Sequence, residues 1–161
     1  MMDAAIYPGS FDPITYGHLN IIERALSIFD RVVVLVAVNP QKSYLFSPEE
    51  KVEMIREATA GWPRVEVDGS EGLLVEYARR RQIHTAVRGL RAVTDFEGEF
   101  AMALTNRTLW PEMDTVFLMT RSDYMYLSSS VVRQVAQLGG EISSFVPPPV
   151  ERRLRARFGH D

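Results

Sequence analysis

There is no cysteine among the 161 residues. Disulfide staples, a thiolate nucleophile and cysteine-ligated zinc are thereby excluded. Histidine is scarce too. Only His18, His84 and His160 are present, which argues against a histidine-rich metal centre. Positive charge is not in excess: 18 lysines and arginines face 21 acidic residues, a net charge of −3. That balance disfavours a general binder of nucleic acid or of a membrane surface. No apolar run approaches the ~20 residues that span a bilayer. The N-terminus carries Asp3 and no long apolar core, unlike a secretory leader, so a cytoplasmic protein is the expectation. Two familiar phosphate fingerprints are missing as well, GxxxxGK[ST] and a GxGxxG after a strand. Any phosphate site must be built from other parts.

What is present is an alternating pattern. Hydrophobic content of 46% and charged content of 24% suit a single globular domain over residues 1–161. Ala4–Tyr7 reads as a strand and Leu19–Phe29 as a helix with Ile22, Ala25, Leu26 and Phe29 on one face. Arg31–Val38 is nearly all apolar and β-branched, as in a strand covered on both faces. Ser47, Pro48 and Glu50 spell a helix start, with Val52, Ile55 and Ala58 facing inward. Strands at Arg64–Val67, Thr85–Arg88 and Thr115–Met119 alternate with helices at Gly72–Arg81, from a cap at Asp95 to about Leu109, and from Ser128 or Ser129 to Gly139-Gly140. An arginine-rich helix over about 148–159 closes the chain. The expected fold is α/β, a Rossmann-like, doubly wound five-stranded parallel sheet with helices on both faces.

Ligands of such sheets sit at the carboxyl ends of the strands, and the unusual residues fall in those loops. Tyr7 to His18 (YPGSFDPITYGH) joins a strand to a helix start, where unpaired N–H groups and the helix dipole attract anions. His18 adds a side-chain donor there. Lys42 stands after the second strand in Asn39-Pro40-Gln41-Lys42. Arg88-Gly89-Leu90-Arg91 follows the fourth, and forked guanidinium bonds suit phosphate oxygens. Asp95, Glu97 and Glu99 come next, either as first-turn acids or as carboxylates aimed into a pocket. Ser128-Ser129-Ser130 offers more hydroxyls than one helix cap requires. The arginines at 79–81 and 152–157 read as solvated or packing faces.

In order and spacing, PGSFDP (8–13), TYGH (15–18), NPQK (39–42), RGLRA (88–92), DFEGE (95–99), NR (106–107) and SSS (128–130) resemble the phosphopantetheine adenylyltransferase family. It belongs to the nucleotidyltransferases marked by an (H/T)xGH motif. The resemblance covers nearly the whole chain. It implies reversible transfer of AMP from ATP to 4′-phosphopantetheine, with magnesium (Mg2+) carried on the ATP phosphates, no protein metal ligand and no covalent intermediate. His18 would stabilise the transition state, with Lys42 and Arg91 completing the catalytic set. Ser10, Lys42, Leu74 and Arg88 would hold phosphopantetheine. Ser10, Phe11, His18, Gly89, Leu90, Arg91 and Glu99 would line ATP, with Tyr124, Met125, Tyr126, Leu127, Ser128, Ser129 and Ser130 wrapping the nucleotide. The resemblance further implies a homohexamer and makes coenzyme A a candidate feedback ligand, with no nucleic-acid or membrane partner. One departure stands out: the family often has an aromatic where this chain has Gly98. The residues by themselves leave open a related transferase with another acceptor and a non-catalytic nucleotide sensor.

Overall fold

The computed structural model describes residues 2–160. Five strands, β1 (Met2–Gly9), β2 (Phe29–Val38), β3 (Val65–Glu71), β4 (Thr85–Leu90) and β5 (Asp114–Met119), alternate with six helices. These are α1 (Tyr16–Ala25), α2 (Pro48–Ala58), α3 (Leu74–Arg81), α4 (Val93–Leu109), α5 (Ser129–Gln137) and α6 (Pro148–Phe158). The strands form one parallel sheet in the order β3-β2-β1-β4-β5. The chain winds outward from β1 through β2 to β3, then crosses back to place β4 on the other side of β1. The reversal between β1 and β4 opens a crevice at their carboxyl ends.

Alternation along the central strands divides the core in two. Ala5, Tyr7, Val32, Val34 and Val36 face one layer, which holds residues of α1, α2, α5 and α6. Ile6, Val33 and Leu35 face the other, with Val75, Tyr77 and Ala78 of α3. Five consecutive residues of β2, Val32 to Val36, are buried, as a strand covered on both faces requires. No helix among the described residues is long and apolar enough to cross a membrane.

Two local expectations need correction and one needs extension. Helix α1 ends at Ala25, and Phe29 opens β2 opposite Met2. The Ser27 and Ile28 N–H groups reach back three residues, to Arg24 and Ala25, and the Ser27 hydroxyl also donates to the Arg24 carbonyl. This tightened turn stops the helix before Phe29. In α2 the expected Val52, Ile55 and Ala58 do pack on the core, Ile55 fully and the other two partly buried, but Lys51 and Met54 are enclosed there as well. A lysine thus occupies a core-facing position. Asp95 does not cap α4. The N-cap is Ala92, which lacks a capping side chain, and Asp95 sits inside the first turn, accepting the Arg91 N–H at 3.0 Å. By contrast, Ser47 and Glu50 form the expected capping box on α2, with Pro48 at its first position.

Two glycines should respond oppositely to alanine. A Cβ on Gly89 would lie 2.8 Å from Ile21 Cγ1, and Ile21 is buried. Gly89→Ala should destabilise by about 1–3 kcal/mol through overpacking. A Cβ on exposed Gly98, inside α4, meets nothing within 4 Å. Gly98→Ala should stabilise by about 0.5–1 kcal/mol through helix propensity. Urea unfolding of the two variants checks both signs.

Candidate active site

The loop after β1 sets the floor of the crevice. Phe11 is buried with a left-handed backbone (φ 47°), a conformation that non-glycine residues adopt only when their surroundings impose it. Here Tyr7 and His18 impose it, with ring centroids 5.2 and 5.0 Å from the Phe11 ring. The ring lies against Gly9, where a Cβ would come within 2.9 Å of it. Asp12, bonded to Pro13 by a cis peptide, turns its buried carboxylate toward the following β2 loop. Its two oxygens accept the Leu45 and Phe46 N–H groups at 2.8 and 3.0 Å.

Thr15 is the N-cap of α1. Its hydroxyl accepts the His18 N–H at 3.4 Å, and His18 Nδ1 accepts the Thr15 N–H at 3.0 Å. This is a capping box with histidine in the place usually held by Glu or Gln. Burial pushes the His18 ring down to about 4, and the Arg88 and Arg91 charges press in the same direction. The ring is therefore neutral near pH 7. With Nδ1 committed as acceptor, its proton lies on Nε2, leaving a donor at the other edge of the ring.

Arg88 within β4 and Arg91 just after it are both held by acidic partners. Arg88 makes a forked pair with Glu99, Nε to Oε2 at 2.7 Å and Nη2 to Oε1 at 2.5 Å, and also donates to the Pro8 carbonyl. Burial works against its charge, and the Glu99 carboxylate more than offsets that. Arg91 bonds both oxygens of Asp95 and donates to the Leu127 carbonyl at 3.1 Å. Burial alone would raise the Asp95 carboxyl, but its bonds to Arg91 prevail and hold it below the ordinary range. Among the serines, Ser128 caps α5 by accepting the Val131 N–H, and Ser129 donates to the Pro13 carbonyl at 2.8 Å. Ser130 accepts from Arg133.

These groups line two cavities. One, of about 470 Å³, is bounded by His18, Arg91, Tyr124, Leu127, the three serines and Arg133. The other, of about 620 Å³, runs over Leu73, Leu74, Met102, Ala103 and Asn106. Pro8, Gly9, Ser10, Lys42, Tyr44, Arg88 and Glu99 border both. The expected site residues divide accordingly. Phe11 and Gly89 line the first cavity and Leu74 the second, while Ser10, Lys42, Arg88 and Glu99 lie on the seam. Leu90, Met125 and Tyr126 border neither. Leu90 ends β4 with its carbonyl bound to Thr120, and Tyr126 turns toward Phe145. Glu99 faces Arg88 and serves as its clamp. Arg133, Asp12 and Tyr44 were not singled out from sequence. The spacing of Arg133, one helical turn after Ser129, was the available signal for the first. Among the described residues no cluster of three His, Asp or Glu side chains could hold a metal ion, and Asp95 and Glu99 are both tied to arginines.

The His18 environment makes a solution prediction. Ring nitrogen NMR should report the Nε2–H form and a midpoint near 4 rather than 6.5. An unfolded ring binds its proton from about 6.5 downward, so this group should cost stability progressively as pH falls from 6.5 toward 4. Thr15→Ala should lose about 1 kcal/mol from the lost cap, while the Nε2–H form should persist in the same spectra, because the Thr15 backbone N–H that holds Nδ1 is retained.

The cytidylyltransferase-like family model matches residues 6–135. The phosphopantetheine adenylyltransferase of Moorella thermoacetica is 56% identical over 158 residues, covering 98% of this chain and 99% of that one. That of Carboxydothermus hydrogenoformans is 51% identical over 157 residues, covering 98% and 97%. In fold, the chain is similar to a bifunctional NMN adenylyltransferase/ADP ribose pyrophosphatase from Francisella tularensis, with a TM-score of 0.73 at 17% identity over 97% of this chain and 49% of that one. The chain, with its neutral histidine at the helix start and its cationic seam, belongs to the phosphopantetheine adenylyltransferase family of cytidylyltransferase-like nucleotidyltransferases.

Proposed function

We propose that the chain transfers an adenylyl group reversibly from ATP to 4′-phosphopantetheine, giving dephospho-coenzyme A and pyrophosphate. The observation that carries this reading is the seam: Lys42 and Arg88 border both cavities. An acceptor phosphate at the seam, with its arm along Leu73, Leu74 and Met102, meets a nucleotide lying on the His18 side. An acceptor phosphate oxygen attacks the α-phosphorus and forms a new P–O bond. The bond from that phosphorus to the bridging oxygen breaks, and pyrophosphate departs with the electron pair. A phosphomonoester is largely ionised at pH 7, so no side chain has to remove a proton. Neutral His18 acts as donor, its Nε2–H placed for the charge that grows on the α-phosphoryl oxygens. Arg91, Ser129, Ser130 and the open N–H groups of α5 suit the outer phosphates. Lys42, Arg88 and Ser10 grip the acceptor phosphate, and Leu74 lies along its arm. Magnesium bound to the ATP phosphates would neutralise charge on the leaving group. Catalysis is then positioning plus electrostatics, with no covalent enzyme species.

The apolar face of α4 supports self-association. Only Asn106 is buried in this 17-residue helix, while Phe96, Phe100, Met102, Leu104 and Leu109 are exposed. Such a face favours a partner copy, and we propose a homohexamer in the cytoplasm. Coenzyme A, which shares the acceptor's arm, would compete for the second cavity.

With ATP, magnesium and 4′-phosphopantetheine the protein should release pyrophosphate. No release above a control lacking enzyme overturns the reading, and nicotinamide mononucleotide as acceptor should give none. His18→Ala should lower kcat by about 10²–10³ with both KM values near normal. Lys42→Met should instead raise the acceptor KM, by about tenfold or more, through loss of a charge-assisted contact. Sedimentation should find a hexamer of the 18.3 kDa chain.

A further inference from the structure

Lys51 is the anomaly of the core. It faces inward from α2 with no exposed surface, and its Nζ has no hydrogen-bond partner among the described residues. A buried ammonium without a partner is costly, and an apolar side chain of similar volume would ordinarily pack better. Burial presses the Lys51 ammonium toward its neutral form, while the Asp12 carboxylate works to keep it charged. Its contact is aromatic: Nζ lies 3.6 Å from the centroid of the Tyr44 ring, within the range of a cation–π interaction.

Tyr44 occupies a consequential place. It borders both cavities and lies two residues after Lys42. The residues that follow it are fixed from other sides. Asp12 accepts the Leu45 and Phe46 N–H groups. Arg157 donates to the Leu45 carbonyl at 2.6 Å and lies over the Phe46 ring at 4.9 Å. The first half of the loop has less support. Lys42 is exposed, and its N–H reaches only to the nearby Asn39 carbonyl. Tyr44 links the anchored half to the half that carries Lys42.

We propose that Lys51 is a positioning residue for the acceptor-phosphate site, its buried ammonium fixing the Tyr44 ring from below and so setting where Lys42 stands on the seam. The cation acts twice on one loop: on the Tyr44 ring directly, and on the Asp12 carboxylate that holds the next two amides. This explains why a charge is kept where the packing asks for a hydrocarbon. The role in acceptor affinity rests on the acceptor reading of Lys42, whereas the role in fixing the loop does not.

The test uses the full-length protein with Lys51→Met, which keeps the volume and removes the charge, and Lys51→Arg, which restores a cation. Amide hydrogen exchange at 42–46 should quicken by about tenfold in Lys51→Met, as expected for loss of a cation–π contact and a charge neighbour. Lys51→Arg should bring most of that protection back. In turnover, Lys51→Met should raise the KM for 4′-phosphopantetheine by about tenfold while the KM for ATP and kcat stay within about twofold. Tyr44→Leu should reproduce that split, and Tyr44→Leu with Lys51→Met should be no worse than either alone. Unchanged exchange in Lys51→Met overturns the proposal. So does unchanged acceptor KM, an equal rise in both KM values, or a failure of Lys51→Arg to restore the loop. If Lys51→Met does not fold, Tyr44→Leu carries the same two readouts, and an unchanged acceptor KM there overturns the proposal. If wild-type protein releases no pyrophosphate, the acceptor reading fails, and the exchange result still decides whether Lys51 fixes the loop.

Discussion

Arg88 is the joint on which the site depends. From β4 it reaches the Pro8 carbonyl at the end of β1 and the carboxylate of Glu99 on α4. One guanidinium thus ties both strands of the topological switch point to the helix that walls the second cavity. A half-buried ion pair of this kind contributes little net stability, because desolvation offsets much of the attraction. Its effect is geometric. The planar fork fixes Arg88 before any ligand arrives, and the cavities meet along it. Glu99 belongs to this clamp: without it the half-buried guanidinium would lose its carboxylate partner and be freer to turn.

The remaining charge arrangement follows the same plan, with cations fixed by protein acids and helix starts turned to the crevice. Asp95 steadies Arg91, and Asp12 steadies the loop of Lys42. His18 is a donor for the same reason. The capping bond to Thr15 uses Nδ1, and two nearby guanidiniums together with burial keep the ring neutral. A charged imidazolium in that place would be repelled by Arg88 and Arg91. The turn before it stores strain at Phe11, held left-handed by the rings of Tyr7 and His18, which keeps the floor of the site from relaxing.

Much of this was legible in the residues. The β-branched run of β2, the Ser47 capping box and the alternation of strand and helix are local signals, and each matched the element formed. The loops singled out as phosphate-compatible do converge on one edge of the sheet. What misled was equally local. Phe29 fits the helical period of α1 but is drawn into β2, because the Ser27 turn ends the helix first. Val52 and Ala58 look more suited to burial than Lys51, yet the rotation of α2 on the sheet encloses the lysine. Asp95 has the chemistry of a cap, but Arg91 beside it offered a stronger partner. Arg133 and Tyr44 gave little signal, since one is an ordinary helix arginine in sequence and the other an aromatic in a loop.

The sequence by itself determined the fold class, the order of the strand-end loops and the phosphate-compatible residue types they carry, because periodicity, capping and turn chemistry act over a few neighbours. It also determined that His18 sits at a helix start, where anions are favoured. Only the tertiary structure decided which nitrogen of His18 carries the proton, which acid holds which arginine, and that Lys42 and Arg88 share a seam between two cavities. Those outcomes depend on burial and on charges brought together from 8 to 133 along the chain. Through-space electrostatics of that range has no local signature in the sequence.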